Sequence, residues 1–364
     1  MMNAVFVYLQ GGKMPKVAVG LSGGVDSAVA AYLLKKEGYD VTGVILRTWE
    51  GEEPGRCCDI DDARSIAERL GVPLRVINCA ADFEKKVTQP FMESYTCGRT
   101  PNPCVGCNRA IKWEYLIYAA DVIGAEYVAT GHYAHVVRLE NGRYTVRTAD
   151  HAEKDQTYML CRLSQEQLAR TLMLLGAYSK DQVRSIAAEL GLSVADKPDS
   201  QEICFVPEGR YAEYIEKHYS GELPKDGNFV SEDGTVLGRH KGIINYTVGQ
   251  RKGLGIALGS PTYVLRIDAQ SDTVVLGPEK SLWHRRVRVK DLNWLSIPEP
   301  ACGEPLKVFA KIRYQHRAAE AVLALQEDRT AELLFSEPVR AAAPGQAAVF
   351  YDGSGCVIGG GEIV

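Results

Sequence analysis

The chain has 364 residues, too many for one ordinary core, so two or three domains are expected. Hydrophobic residues make up 46% and charged residues 24%, and no apolar run nears the roughly 18 residues a helix needs to cross a bilayer, which argues against a helical membrane protein. The formal net charge of −4 gives no global support for nucleic-acid binding, so such a site has to be a local patch.

Residues 1–15 read as an N-terminal extension. The apolar stretch Val5 to Leu9 is too short for a signal-peptide core, Met14 is an alternative start, and a cytoplasmic location is expected. Val17-Ala18-Val19-Gly20-Leu21 has the composition of a buried parallel strand. Val25, Ala28, Val29, Tyr32 and Leu33 then recur at helical spacing up to a stop at Gly38. Strands at 41–46, 73–78 and 127–130 alternate with helices at 61–70 and 109–123. This predicts an α/β fold, a doubly wound parallel sheet, over 16–208. Asn141-Gly142 signals a hairpin, and Ser179 to Leu190 a further helix. After about Arg210 the helical period fades and short strand-like runs take over, separated by turns such as Glu232-Asp233-Gly234, Ser271-Asp272 and Asp352-Gly353. Two smaller, mainly-β domains are expected, at 209–281 and 282–364, the second a β-barrel.

Gly20 to Ser27 reads GLSGGVDS between a buried strand and an amphipathic helix. Glycines let backbone approach an anion closely, and a helix N-terminus aims unpaired N–H groups at it. Gly20, Leu21, Ser22, Gly23, Gly24, Val25, Asp26 and Ser27 are therefore candidate ATP-binding residues. The loop lacks the Gly-Lys-Ser/Thr ending of the common P-loop, and Asp26 argues for Mg²⁺ or precise polar placement rather than a lysine clamp.

Of ten cysteines, Cys104 and Cys107 form a C-x-x-C in a turn-rich loop, and Cys204 follows a proline-containing loop. Such sulfurs suit a metal, an iron–sulfur cluster or persulfide chemistry. Cys79, Cys161, Cys302 and Cys356 read as buried filler. Cys57-Cys58 and Cys97 carry no distinct signal. Between Lys280 and Glu320 nine Lys or Arg face four Asp or Glu, a local net of +5, and Lys311-Ile312-Arg313-Tyr314 pairs cations with a stacking aromatic. Arg251 and Lys252 form a second basic spot.

From about Lys16 to Val364 the chain resembles bacterial tRNA-specific 2-thiouridylases, a family with the pyrophosphate loop of N-type ATP pyrophosphatases. The matching pieces are GLSGGVDS at 20–27, GRTPNPCVGCN at 98–108, ATGHYA at 129–134, KDQTYML at 154–160, KPDSQEICF at 197–205, TVGQRKGLG at 247–255 and PGQAAVFYDG at 344–353. The resemblance implies ATP-dependent replacement of the C2 oxygen of a wobble uridine by sulfur. It makes Cys107 the catalytic nucleophile and Cys204 the persulfide carrier. Leu46 and Gly131 join the ATP site. Asn102, Pro103 and Cys104 would meet the target base, and Lys154, Asp155, Gln156, Arg313 and Tyr314 would contact tRNA through its anticodon stem-loop. His132 and Gln346 would act in tRNA selection. Lysine, glutamate and glutamine tRNAs, and a sulfur-donor protein or hydrosulfide, are the implied partners.

One departure matters. Much of the family has aspartate where this chain has Cys104, which puts a carboxylate acid–base role there in doubt. Cys104, Cys107 and Cys204 instead resemble the set on which some tRNA thiolases hold a 4Fe-4S cluster. Two readings stay open: such a cluster, toward which Cys104 inclines the balance, and cluster-free persulfide transfer. Other pyrophosphate-loop tRNA modifiers or synthetases, and a non-catalytic RNA-binding protein, are the competing functions.

Overall fold

A computed structural model describes residues 14–49, 60–195, 203–206 and 210–364. Most of the N-terminal extension, Cys57-Cys58 and residues 197–202 of the KPDSQEICF string lie outside the described residues.

The first domain contains strands β1 (Lys16–Gly20), β2 (Asp40–Arg47), β3 (Leu74–Asn78) and β4 (Tyr127–Ala129), the hairpin β5 (His135–Arg138) and β6 (Tyr144–Arg147), and the short β7 (Thr171–Leu172). Five of these form one sheet in the order β3-β2-β1-β4-β7, with every pair parallel. The alternation along β1 fixes the layering. Val17 and Val19 pack with helices α1 (Val25–Lys36) and α2 (Ile60–Leu70), while Ala18 joins the opposite layer. That makes a sheet wound on both faces, as the sequence pattern predicts. The strand order reverses at β1, which has β2 on one side and β4 on the other. The loop leaving β1 therefore opens at the switch point, where such sheets bind ligands.

The second layer differs from expectation. Residues left without a helix form α3 (Ala80–Phe83), a π-helical turn (Glu84–Thr88) and α4 (Gln89–Thr96). The C-x-x-C stretch is not an irregular loop but the short helix α5 (Pro103–Cys107). It runs through a second π-helical turn (Asn108–Trp113) into α6 (Glu114–Ile123). The helix thus starts at Pro103 rather than Arg109. Asn102 Oδ1 accepts from Cys104 N at 3.2 Å, and Pro103 sits at N1, where its missing N–H costs nothing. Helices α7 (Gln165–Ala169) and α8 (Lys180–Glu189) each start with a capping box, from Ser164 and Ser179.

Helix α9 (Tyr211–His218) lies where the sequence pattern predicts that helices give way to strands. Its Tyr211 stacks on Tyr95 of α4, centroids 4.7 Å apart. A four-stranded sheet follows, in the order β10 (Tyr263–Asp268), β11 (Thr273–Gly277), β8 (Gly227–Val230) and β9 (Val236–His240). Strands β12 (Trp283–Trp294), β13 (Pro305–Lys311), β14 (Ala319–Leu325), β15 (Ala331–Arg340), β16 (Ala347–Tyr351) and β17 (Val357–Ile363) close the expected barrel.

Side-chain donors bond the barrel to the first domain's backbone and the reverse. Arg143 donates to Leu295 O at 2.8 Å and Trp294 O at 2.7 Å. Asn293 Nδ2 donates to Cys161 O and Leu163 O, and Thr145 Oγ1 to Val357 O. The barrel also alters the reading of the basic stretch. Arg285, Arg286 and Lys290 on β12 pair with Glu337, Glu332 and Glu362 on neighbouring strands, and Arg288 pairs with Asp328 just before β15. The local +5 counted along the sequence is thus largely offset across strands. Arg143→Ala should cost about 1–3 kcal/mol, because it leaves two carbonyls without their charged donor. Thermal unfolding and limited proteolysis should register this as earlier release of the barrel.

Candidate functional site

Gly20 to Ser27 runs from the end of β1 into α1. Gly23 has φ 75°, a left-handed conformation that favours glycine, and Gly24 is the N-cap without a capping side chain. The N–H groups of the first turn thus have no side-chain cap to compete with a phosphate. Ser27 Oγ donates to Gly24 O at 3.0 Å and lies 3.2 Å from both Ser22 N and Ser22 Oγ, which closes the loop on itself. Gly131 explains its residue type by contact. A Cβ there would lie 2.6 Å from Asp26 C and Ser27 N, so the segment that follows β4 abuts the loop directly. Leu46 is buried near the end of β2, in the layer that also holds Cys107.

The sequence reading missed two partners of this loop. Tyr133 Oη and Lys180 Nζ each donate to Asp26 Oδ1 at 2.7 Å. Tyr133 lies inside the quoted ATGHYA piece. Lys180 opens α8, 154 residues from Asp26 in the chain, and from sequence looks like an ordinary exposed first-turn lysine.

The cysteine turn sits in the opposite layer. Cys107 is 8% exposed, within the buried cluster that also holds Val87, Phe91 and Val105, while Cys104 is half-buried. Cys204, also half-buried, packs at the edge of the same cluster. Its neighbour Phe205 holds it there, with ring contacts to Phe83 at 5.7 Å and Phe91 at 5.1 Å. Among the described residues, which include all three of these cysteines, no set of three or more Cys, His, Asp or Glu is gathered to hold a metal. Of the cysteines read as filler, burial pushes the Cys79 thiol up to about 11 and the Cys161 thiol to about 12. Cys302 is exposed, because the chain between β12 and β13 leaves it outside the barrel core.

Residues 154–160 join the two layers. Gln156 Oε1 accepts from Tyr133 N, and Gln156 N donates to Tyr133 O, both at 3.0 Å. Further along, Asn108 Nδ2 donates to Met159 O at 2.9 Å and Asn102 Nδ2 reaches Met159 Sδ at 3.6 Å. Asn108 Oδ1 is buried without a partner among the described residues. Asp155 is buried; its carboxylate accepts from Ala149 N and from the Thr157 hydroxyl, and pairs with Lys311 of the barrel at 3.6 Å. Asp155 and Gln156 thus face inward here, as framework, while Lys154 is half-buried in the preceding turn.

The barrel completes the surroundings. Tyr314 is half-buried, 6.0 Å from the ring of Tyr158, and its phenol is raised by burial first, then by Asp155 and Cys104. Arg313 donates to Val248 O at 2.7 Å and twice to Ala341 O, so it clamps the middle domain to the barrel. Burial, then Arg340, lowers its pKa. Gln346 Nε2 donates to Thr100 O at 2.9 Å, two residues before the Asn102 cap. His132 Nδ1 lies 2.9 Å from Thr130 Oγ1, and its ring lies 5.5 Å from that of Trp113. Burial, with a smaller contribution from Lys112, holds its imidazole down at about 3, so it is neutral at working pH.

Three family models match the chain: a tRNA methyl transferase HUP domain over residues 15–208, a tRNA methyl transferase PRC-barrel domain over 213–278, and an aminomethyltransferase beta-barrel domain over 284–363. The tRNA-specific 2-thiouridylase MnmA of Lachnoclostridium phytofermentans is 49% identical over 360 residues, covering 96% of this chain and 100% of that one. That of Acetivibrio thermocellus is 49% identical over 358 residues, covering 96% and 99%. Among solved structures, the U34-tRNA thiolase NcsA from Methanococcus maripaludis with its 4Fe-4S cluster matches 52% of this chain and 60% of its own at 21% identity. Its TM-score of 0.35 is too low to bear on this site.

His132 gives a pH signature. The unfolded chain binds a proton at this residue near pH 6.5, about the ordinary value, whereas the native protein does so only near 3. Its stabilising contribution is full above 6.5 and falls as pH drops toward 3. His132→Asn should flatten the loss of stability between pH 7 and 5, measured by urea unfolding.

Proposed function

The chain belongs to the tRNA-specific 2-thiouridylase family, and from that premise we propose how its own residues carry out ATP-dependent 2-thiolation of the wobble uridine of a tRNA. The observation that supports this assignment of roles is the 154–160 segment, bonded at Gln156 to the neighbour of the phosphate loop and at Met159 to the cysteine turn. One rigid strip of chain thereby relates a nucleotide site to a thiol site.

The first-turn N–H groups of α1, with Ser22 and Ser27, hold the phosphates of ATP, and Leu46 and Gly131 border the nucleotide. Asp26, Ser22 and Ser27 are hard oxygen donors of the kind that suits Mg²⁺, which when bound neutralises phosphate charge. A wobble uridine splayed out of the anticodon loop meets Asn102, Pro103 and Cys104. Its C2 oxygen attacks the α-phosphorus. The bond to the β-phosphate breaks, and pyrophosphate leaves with the electron pair.

That step turns a poor leaving group into a phosphate ester. The terminal sulfur of a persulfide on Cys204 then attacks C2 and expels AMP. Cys107, as thiolate, attacks the Cys204 sulfur, forms a Cys107–Cys204 disulfide and releases the 2-thiouridine. Hydrosulfide closes the cycle by attacking the Cys204 sulfur of that disulfide, which re-forms the Cys204 persulfide and frees the Cys107 thiolate; with a sulfur-donor protein, an external thiol reductant first restores both cysteines, and the donor's persulfide then passes its outer sulfur to Cys204 and keeps its own thiol. Neutral His132 and Gln346 act in tRNA selection from the two edges of the site, and Tyr314 offers the base an aromatic face. Lysine, glutamate and glutamine tRNAs are the substrates the family resemblance implies.

The persulfide route uses Cys107 and Cys204; the alternative reading would hold a 4Fe-4S cluster on Cys104, Cys107 and Cys204, thiolates of the kind that bind one, and no step is routed through it.

Mass spectrometry of tRNA nucleosides, after incubation with ATP, Mg²⁺ and hydrosulfide, tests these roles on protein of measured iron content. Cys107→Ser and Cys204→Ser should each lower 2-thiouridine formation on the order of 10³-fold or more, with ATP binding intact. Full 2-thiouridine formation by Cys107→Ser would remove Cys107 from the sulfur-transfer step. An iron requirement that Cys104→Ala abolishes would favour the cluster.

A further inference from the structure

The phosphate loop places a carboxylate, Asp26, in the first turn of the helix that faces the nucleotide. Three or four phosphate charges arriving beside an anion are repelled unless a cation stands close. Walker-type loops carry that cation as a lysine within the loop, and GLSGGVDS carries none. In the folded chain, however, a lysine from α8 occupies the position. Lys180 Nζ lies 2.7 Å from Asp26 Oδ1, its side chain is only 10% exposed, and the Tyr133 ring lies 6.0 Å from the ammonium. The Ser179 capping box fixes the first turn of α8, and so the root of this side chain.

The hydrogen bonds are one-sided. Lys180 and Tyr133 both donate to Oδ1, and among the described residues Oδ2 receives no donor. A buried ammonium against one edge of a carboxylate leaves the other edge for a metal ion, and Tyr133 keeps the carboxylate oriented if the lysine shifts.

We propose that Lys180 is a catalytic residue of the adenylation step: its ammonium, docked on Asp26 before nucleotide binds, takes up the β- and γ-phosphates of ATP and stabilises departing pyrophosphate. The inference rests on the ATP-dependent reading above. In that step the α-phosphorus gains the uridine oxygen and loses the oxygen bridging to the β-phosphate, which keeps the electron pair. Lys180 stays protonated throughout and acts by charge alone.

Calorimetric titration of the full chain with ATP, pyrophosphate and AMP, each with Mg²⁺, tests this. Lys180→Met should weaken ATP and pyrophosphate binding by about tenfold or more, a loss of about 1.4 kcal/mol or more, while AMP, which lacks the β- and γ-phosphates, changes less than about twofold. Lys180→Arg should recover part of the loss. Equal weakening of ATP and AMP would mean that Lys180 only holds Asp26 in place, and unchanged ATP and pyrophosphate affinity would also overturn the proposal. If Lys180→Met does not fold, the pair Asp26→Asn and Lys180→Met, which removes both charges together, replaces it; near-wild-type pyrophosphate affinity in that variant would contradict the assignment. These outcomes do not depend on whether sulfur transfer occurs, so they separate this proposal from the thiolation reading.

Discussion

A buried carboxylate sets the frame of this molecule. Asp155 is 5% exposed, and burying an unpaired charge of this kind would be prohibitive. Its oxygens are met by Ala149 N, the Thr157 hydroxyl and the ammonium of Lys311, and the Thr157 hydroxyl also lies 3.2 Å from Tyr351 Oη. Lys311 and Tyr351 belong to the barrel, and Asp155 and Thr157 to the first domain. One charge-assisted network therefore fixes the barrel and the conformation of residues 155–159 together. The rest of the site hangs from that strip, with the phosphate loop reached through Gln156 and Tyr133, and the cysteine turn through Met159.

The arrangement explains why a tRNA-modifying enzyme would need three domains for one small chemical change. The sheet supplies a nucleotide site at its switch point. A short capped helix presents Cys107 from the opposite layer, and the barrel brings Tyr314 within electrostatic reach of Asp155 and Cys104. Arg313 joins the barrel to the middle domain, and Gln346 joins it to the residues just before the cysteine turn. Loss of register between domains would displace the residues proposed to meet the base relative to both the phosphate loop and the cysteine turn.

Much of this was legible in the sequence, because glycine patterns and hydrophobic alternation are local signals. GLSGGVDS and four of the five parallel strands reported themselves within windows of ten residues, whereas the two-residue β7 and the bounds of the barrel strands did not. The electrostatic misses share one physical cause. Lys180 on Asp26, Lys311 on Asp155 and the acids facing Arg286 and Arg288 are long-range ion pairs, and no local pattern marks a charge as paired. The C-x-x-C stretch misleads for a local reason instead. Its proline and asparagine look like a loop by propensity, yet Asn102 and Pro103 are the cap and first residue of a helix. The π-helical turns at 84–88 and 108–113 add one residue per turn to otherwise ordinary helices, a change that hydrophobic periodicity does not resolve.

The central claim is that ATP activates the uridine C2 oxygen, so that this oxygen leaves on AMP. The most direct test uses tRNA carrying ¹⁸O at C2 of the wobble uridine, incubated with the enzyme, ATP, Mg²⁺ and hydrosulfide. The account predicts one ¹⁸O in AMP for each 2-thiouridine formed, and none in pyrophosphate. Unlabelled AMP with the label released as water, or label in a phosphate other than that of AMP, would contradict it.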